Sequence, residues 1–132
     1  MITNNLAGTW SLVSWEHADS EGAITYPYGR DPLGYIIYAP DGYMSVAIMN
    51  PDRQSELAGN TTLDPQERLL AFETYFSYCG PYTIQGNTVT HHIQISLDPT
   101  LVGTSRDRNF AFEGNRLVLS KGATRLVWER VA

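Results

Sequence analysis

Residues 78–96 read YCGPYTIQGNTVTHHIQIS, and they carry the pattern that decides the fold class of this 132-residue chain. Two runs of β-branched and aromatic residues flank a turn at residues 85–87, which is typical of a β-hairpin. Similar pairs of runs flank turns at residues 39–42 and 113–115. Counted outward from these hairpins, about nine strand segments separated by short turns predict an antiparallel sandwich or barrel.

The stretch TTLDPQERLLAFETYF departs from the β pattern and predicts one short helix near residues 65–74. Asp64 stands directly before Pro65, and Glu67 follows three residues after Asp64, which is the spacing of a capping box at a helix N-terminus. The apolar residues at helical spacing, which we expect to pack on the body of the protein, are Leu69, Phe72 and Phe76.

The composition is that of an ordered globular chain. Hydrophobic residues make up 42% and charged residues 17%, a balance that disfavours disorder. The length suits one domain over residues 1–132. The single cysteine, Cys79, excludes an internal disulfide and is expected to be a small buried residue. The sequence shows neither a signal-peptide pattern nor an apolar run of about 18 residues, so we expect a cytoplasmic protein.

The charge pattern disfavours two classes of partner. The net charge is −5, and the nine Lys and Arg residues are scattered along the chain. A nucleic-acid groove needs clustered positive charge, and a helix that lies on a membrane surface needs a basic face. We therefore expect neither nucleic acid nor membrane as a partner.

Five stretches resemble the lipocalin-like domain family, a set of small bacterial and fungal barrels. The stretches are LAGTWSLVSWE (6–16), YPYGRDPLGYIIYAPDGYMSV (26–46), YFSYCGPYTI (75–84), VTHHIQISLDPTLVGT (89–104) and RLVWER (125–130). The resemblance implies an all-β fold, an antiparallel up-and-down barrel of about eight to ten strands around a ligand cavity. Many barrels of this type bind hydrophobic molecules, and related small barrels in natural-product pathways catalyse cyclisation or isomerisation without a cofactor.

The resemblance also implies a closed barrel floor. In wider lipocalin relatives the Trp of the opening motif lies at the floor, and a basic residue of the last strand packs across it. Trp10 matches the first role, and Arg130 or Arg125 matches the second. Because a guanidinium stacks well on an indole face, this pair would be structural.

Strand periodicity separates the neighbouring histidines His91 and His92. Alternate residues of a strand share a face. The apolar phase, which is expected to face the interior, contains Val89, His91, Ile93 and Ile95. Because His92 then faces outward, the two rings cannot bind one metal ion, and we expect no metal site. His91 is either a core histidine bonded to a tyrosine or a backbone group, or a ligand-facing residue with an acid/base role.

The stretch SRDRNFAFE places two arginines on the same strand face as two phenylalanines. That phase contains Arg106, Arg108, Phe110 and Phe112. If the phenylalanines lie inside, Arg108 is also directed inward, and a buried Arg needs an acceptor or an anion. Arg108 therefore either pairs with an internal carboxylate such as Glu16, or binds a carboxylate or enolate oxygen of a ligand.

Two further parts of the pattern leave alternatives open. Regular alternation in the first strand puts Glu16 on the same face as Trp10, so Glu16 is either an inward polar anchor or an exposed residue at the strand end. Residues 34–38 and 43–49 are apolar in both phases, so their inward faces cannot be chosen, and Tyr38 is a candidate for the cavity wall.

Three functions fit these patterns. The leading hypothesis is a barrel that binds a small hydrophobic molecule through a polar anchor. Its expected ligand-binding residues are Glu16, Tyr38, His91, Arg108 and Phe110. The alternative is a cofactor-free cyclase or isomerase acting on a hydrophobic natural-product intermediate, with His91 and Arg108 as catalytic residues. A second alternative is a filled barrel that binds a partner, with an outer patch of Trp15, Tyr26 and Tyr28. A homodimer through the outer aromatic face of the first strand is a further hypothesis.

Overall fold

The computed structural model describes residues 4–53, 59 and 62–131. The elements whose bounds lie within these ranges are ten strands, one α-helix and one 3₁₀-helix. The strands are β1 (Gly8–Ala18), β2 (Ile24–Thr25), β3 (Leu33–Tyr38), β4 (Tyr43–Met49), β5 (Tyr75–Gln85), β6 (Thr88–His92), β7 (Ile95–Ser96), β8 (Ser105–Glu113), β9 (Arg116–Lys121) and β10 (Thr124–Arg130). The helix α1 spans Pro65–Glu73, and the 3₁₀-helix spans Pro99–Leu101.

Eight of the strands close into an antiparallel barrel. The hydrogen-bonded order is β10-β9-β8-β6-β5-β4-β3-β1, and β1 pairs with β10 to complete the ring. The two short strands lie off this ring, since β2 pairs with β1 and β7 pairs with β5. This arrangement confirms the predicted up-and-down barrel, and it leaves no unpaired edge among the eight strands.

The predicted helix forms, but its apolar face is not packed on the barrel. The Asp64 side chain accepts a 2.8 Å hydrogen bond from the Glu67 backbone, and the Asp64 backbone donates to Glu67 Oε1 at 2.9 Å, which completes the capping box. Leu69 and Phe72 are 58% and 42% exposed, so the expected packing of these two side chains is wrong. Phe76 belongs to β5 instead. No helix of the described ranges is long and apolar enough to cross a membrane.

A β-bulge interrupts the alternation of β1. Leu12 lies opposite Trp128, but Ser14 lies opposite Val127, so Val13 is an extra residue that has no partner in β10. After such an extra residue the alternation along the strand is inverted, so side chains that would have faced outward face the core. Trp15 consequently faces the interior, where regular alternation would have placed Glu16.

The structure decides which residues of β3 and β4 face inward, a choice that the sequence left open. Ile36 and Tyr38 are buried in β3. The buried residues of β4 are Met44, Val46 and Ile48. Their neighbours on the outer face, such as Tyr35 and Tyr43, are exposed. Cys79 lies on the outer face of β5 and is only half-buried, which corrects the expectation of a fully buried thiol.

One end of the barrel is closed by Arg130 and Trp10. The guanidinium carbon of Arg130 lies 4.1 Å from the centroid of the Trp10 ring. The same guanidinium donates to the backbone oxygens of Ala7 at 3.1 Å and Asn5 at 2.9 Å. These contacts hold the segment before β1 across the barrel end, which is the floor of the barrel.

Candidate functional site

A small central cavity lies inside the barrel, on the side away from the floor. Its volume is about 40 Å³, which is room for about three water molecules. Part of its wall is apolar and includes Ile36, Val46, Ile48, Leu119 and Leu126. The lining residues whose side chains carry polar atoms include Tyr78, His91, Arg106, Arg108, Thr124 and Trp128. The polar groups therefore converge from β5, β6, β8 and β10.

His91 projects from β6 into the barrel, whereas His92 projects outward. His91 is only 1% exposed. His92 lies between two outer hydroxyls, with Nε2 3.1 Å from Thr83 and Nδ1 3.1 Å from Ser105. The residues that the structure describes contain no group of three or more His, Cys, Asp or Glu side chains that could hold a metal ion.

Both ring nitrogens of His91 are occupied by tyrosine hydroxyls. Tyr38 Oη lies 2.6 Å from Nε2, and Tyr78 Oη lies 2.5 Å from Nδ1. The geometry is therefore that of a core histidine bonded to tyrosine, one of the two alternatives that the sequence left open. A direct bond from a ring nitrogen to a ligand would require one of the tyrosines to move.

Burial keeps His91 uncharged. Desolvation lowers its pKa to about 3, and the nearby charges of Arg108, His92 and Arg106 act in the same direction. A neutral imidazole has one N–H donor and one acceptor nitrogen. One of the two tyrosines therefore donates to His91, and the other accepts from it.

The two tyrosines remain protonated as well. Burial raises the pKa of Tyr78 to about 12, although the charges of Arg108 and Arg106 act in the opposite direction. Burial also raises the pKa of Tyr38, with the neighbouring Tyr78 as the second cause. Tyr78 lies on the cavity wall, whereas Tyr38 lies nearer the floor, outside the lining, and bonds to His91.

Arg106 and Arg108 enter the cavity without a carboxylate partner. Arg108 Nη1 donates to the backbone oxygen of Asp107 at 2.9 Å, and burial lowers the pKa of the Arg108 guanidinium. Arg106 lies over the Phe76 ring at 5.8 Å. In the described part of the chain neither arginine forms an ion pair, and the bulge in β1 keeps Glu16 away from the cavity. Of the two alternatives for Arg108, the pairing with Glu16 is therefore not formed, and the contact with a ligand oxygen stays a prediction.

Trp128 contributes a polar group to the cavity wall that the sequence analysis did not predict. The side chain is 0% exposed, and it lies on the cavity wall. Its indole Nε1 is buried and, among the described residues, has no hydrogen-bond partner. Buried N–H groups in native proteins are nearly always bonded, so this nitrogen is a donor that an acceptor placed in the cavity could satisfy.

Phe110 lies in a different place from the other predicted ligand-binding residues. It borders an open cleft of about 530 Å³ at the floor end, together with Leu6, Ile84 and Phe112. The described residues of its lining include no ionisable side chain, whereas His91, Arg106 and Arg108 line the central cavity. Of the five predicted ligand-binding residues, the structure brings His91 and Arg108 to that cavity, with Tyr38 behind His91.

Of the three aromatic residues expected on an outer patch, Trp15 lines the central cavity instead, and Tyr28 packs against it. Trp15 stacks on Tyr28 with ring centroids 4.7 Å apart, and it meets Phe76 edge-on at 5.9 Å. Tyr26 lies apart from this stack, under the Arg30 guanidinium. Trp15 is thus a cavity residue rather than part of an outer face, which corrects its expected place in the outer patch. The partner patch and the homodimer stay predictions.

Comparison with known proteins agrees with this architecture. The sequence profile of the lipocalin-like domain matches residues 7–131. The chain belongs to the lipocalin-like domain family. No curated protein matches this lipocalin-like domain in sequence.

Two solved structures share the fold of this lipocalin-like domain at low sequence identity. A lipocalin-like protein from Bacteroides uniformis is 14% identical, with a TM-score of 0.56 over 97% of this chain and 100% of that one. An uncharacterized protein from Bacteroides eggerthii is 10% identical, with a TM-score of 0.54 over 96% of this chain and 100% of that one. At these identities the likeness shows the fold alone.

Proposed function

We propose that this lipocalin-like domain binds a small molecule with an apolar body and a polar anchor in the central cavity. The observation that carries the proposal is Arg108, a half-buried guanidinium on the cavity wall that donates to the backbone of Asp107 and, within the described ranges, forms no ion pair. A buried charge without a counter-charge costs free energy, and a ligand acceptor would recover part of that cost.

The apolar wall supplies the rest of the binding free energy. Aliphatic side chains from four strands, among them Ile36, Val46 and Leu126, surround the space in front of Arg108. Burial of apolar ligand surface contributes about 25 cal/mol per Å². A ligand that covers this wall therefore gains most of its affinity from its apolar part and its orientation from Arg108.

Ligand entry requires movement at the mouth. Ligand pockets usually measure roughly 300–1,000 Å³, whereas the central cavity measures about 40 Å³. Arg106, Arg108 and Trp15 line the cavity and are only half-buried. The two arginines have long flexible stems, so they can swing toward the mouth and enlarge the cavity without a change in the barrel backbone.

Binding can be tested with 1-naphthol, an apolar probe with one hydroxyl. Because Trp15 and Trp128 lie on the cavity wall, their fluorescence reports its occupancy, and calorimetry gives the affinity. We expect saturable quenching in the wild-type protein. Ile36→Phe fills the cavity from β3 and should weaken binding about tenfold or more.

The matched control is Ile37→Phe, which adds the same ring on the exposed face of the same strand. It should leave the affinity unchanged. Circular dichroism establishes that both variants are folded. Equal affinity of the two folded variants, or no saturable binding by the wild type, would refute binding in this cavity.

The second candidate function is a cofactor-free cyclase or isomerase that uses the same cavity. The observation that favours it is that Arg108 and the Tyr78 hydroxyl line one water-poor space, where both could donate to a developing enolate oxygen. Because both nitrogens of His91 are bonded, the chemistry would be polarisation of a carbonyl rather than proton abstraction by His91.

An enone with a tethered hydroxyl tests this candidate, since ring closure removes the enone absorbance. The wild-type protein should accelerate the closure, and Tyr78→Phe and Arg108→Met should each abolish most of the acceleration. Arg125→Met is the control, because Arg125 lies on the outer face beside Glu113 at 3.7 Å. A rate equal to that in buffer would exclude this activity for the probe class.

A further inference from the structure

We propose that the polar anchor of the ligand is a carboxylate, held jointly by Arg108, the Tyr78 hydroxyl and the Trp128 indole N–H. The inference rests on the proposed binding function and specifies its ligand class. It depends on three independent features of the cavity wall, which are the direction of the Tyr38–His91–Tyr78 chain, the unbonded Trp128 nitrogen and the uncompensated arginine charge.

The first feature is the direction of the hydrogen-bond chain. His91 donates through one nitrogen and accepts through the other. If Nε2 carried the proton, Tyr38 would accept from it, and the Tyr38 O–H would have no acceptor in its buried position, because no second bond of this hydroxyl is formed with the residues that the structure describes. If Nδ1 carries the proton, Tyr38 donates to Nε2 and Nδ1 donates to Tyr78. The second arrangement satisfies every group except the Tyr78 O–H.

The consequence is that Tyr78 presents its proton to the cavity. Tyr78 lies on the cavity wall, so its O–H can bond to an occupant there. Tyr38 and His91 thereby act as positioning residues, since they occupy the acceptor side of the Tyr78 hydroxyl and leave only its donor side available. A donor fixed in this way selects a ligand atom that accepts.

The second feature is Trp128. An indole N–H can only donate, and the Trp128 nitrogen is fully buried without an acceptor in the part of the chain described. It projects from β10, across the barrel from Tyr78 on β5. Two unbonded donors from opposite walls therefore border the same space, which indicates an acceptor between them.

The third feature is charge. Among the residues that the structure describes, the cavity lining includes Arg106 and Arg108 but no Asp or Glu, although the whole chain carries a net charge of −5. All guanidinium hydrogens are donors, so the polar wall offers donors and positive charge together. A neutral amide or alcohol would bring its own N–H or O–H against these donors, whereas a carboxylate brings only acceptors and balances the charge.

The experiment compares phenylacetate with phenylacetamide, which has nearly the same shape but no charge. Calorimetry and tryptophan fluorescence give both affinities. We expect phenylacetate to bind about 10- to 100-fold more tightly, since hydrogen bonds to charged groups are the stronger ones. Arg108→Met should remove most of this preference, and Tyr78→Phe and Trp128→Phe should each weaken phenylacetate binding about 3- to 10-fold.

The control for charge is Arg125→Met, which removes an exposed guanidinium and should leave both affinities unchanged. An NMR readout separates contact from a structural effect. Phenylacetate should shift the indole N–H resonance of Trp128 downfield, whereas that of Trp10, already bonded to Leu6 O at 2.9 Å, should stay in place.

The outcomes distinguish this inference from the proposed function. Saturable binding of both probes with equal affinity would overturn the carboxylate anchor and leave binding in the cavity standing. Absence of binding by phenylacetate, phenylacetamide and 1-naphthol together would overturn both. A preference for phenylacetate that survives in folded Arg108→Met would assign the anchor to another part of the molecule.

Discussion

The hydroxyl of Tyr38 lies 2.6 Å from Nε2 of His91, although the two residues come from strands that are not neighbours in the barrel. Strands β4 and β5 separate β3 from β6, so this bond spans the barrel interior. On its other side His91 contacts Tyr78 of β5. The imidazole is therefore a cross-link inside the barrel, and its protonation, its partners and its backbone neighbours should all affect stability.

Stability should fall in acid because of His91. Its pKa is about 3 in the folded protein and about 6.5 when unfolded. A lowered folded-state pKa means that the unfolded state binds the proton more readily, so this contribution is complete above pH 6.5 and is lost as the pH falls toward 3. The loss from this group approaches about 1.4 kcal/mol per pH unit within that window.

Urea denaturation between pH 7 and pH 4 measures this slope. His91→Gln, which cannot titrate, should be less stable at pH 7 but should show a smaller loss in acid. His17→Gln is the control, because His17 is exposed. The explanation fails if the wild type and His91→Gln lose stability equally over this range.

Each tyrosine that contacts His91 should contribute to stability through its hydroxyl. Tyr38→Phe leaves the buried Nε2 without a partner, and an unsatisfied buried group costs about 1–3 kcal/mol. The control Tyr35→Phe changes an exposed ring on the same strand and should cost less than about 0.5 kcal/mol. Urea denaturation of the two variants provides the comparison, and equal losses would contradict a special role of the buried bond.

Gly80 should not tolerate a side chain. It lies on the inner face of β5, and a Cβ there would overlap the carbonyl oxygen of His92, where the chain leaves β6 and passes over β5. Gln94 N donates to Cys79 O at 3.0 Å and holds this crossing in place. Because the obstacle is backbone, it cannot rotate away.

We expect Gly80→Ala to lower the free energy of unfolding by about 2–4 kcal/mol or to prevent folding. Ser77→Ala, a small change on the outer face of the same strand, is the control and should have little effect. Thermal unfolding followed by circular dichroism measures both variants. A Gly80→Ala protein as stable as the wild type would show that the crossing at His92 can shift.

The stability of the barrel floor should depend on the planar shape of the Arg130 guanidinium as well as on its positive charge. Arg130→Met loses the stack on Trp10 and the two bonds to the backbone of Ala7 and Asn5, and it should cost about 1–3 kcal/mol. Arg130→Lys keeps the charge but cannot form the planar fork, so it should recover only part of the loss.

Arg116→Met is the matched control for the floor, since Arg116 lies 3.7 Å from Glu129 in an exposed ion pair. Exposed pairs contribute about 0–1 kcal/mol. Chemical denaturation at low and high salt separates the two effects, because screening weakens the surface pair and leaves the stacked one. A larger loss in Arg116→Met than in Arg130→Met would be inconsistent with the floor described here.

The residues that the sequence could place are those governed by local rules. The turns at residues 39–42, 85–87 and 113–115 follow from turn chemistry, and α1 begins at Pro65 because Asp64 and Glu67 form a capping box. Strand alternation separated His91 from His92 without any structure. These features depend on residues within about four positions of one another, so the chain alone contains the information.

Which of the other side chains face the cavity was decided by pairing between strands that are distant in the sequence. Val13 is recognised as an extra residue only when β1 is aligned with β10. Because of it, Trp15 faces the cavity in the place that regular alternation would give to Glu16. Tyr78 and Trp128 belong to strands whose two faces are both rich in apolar residues, so periodicity could not assign their direction. A barrel closes only when its eight strands share a consistent stagger, and that non-local condition selected the inward side chains that form the site.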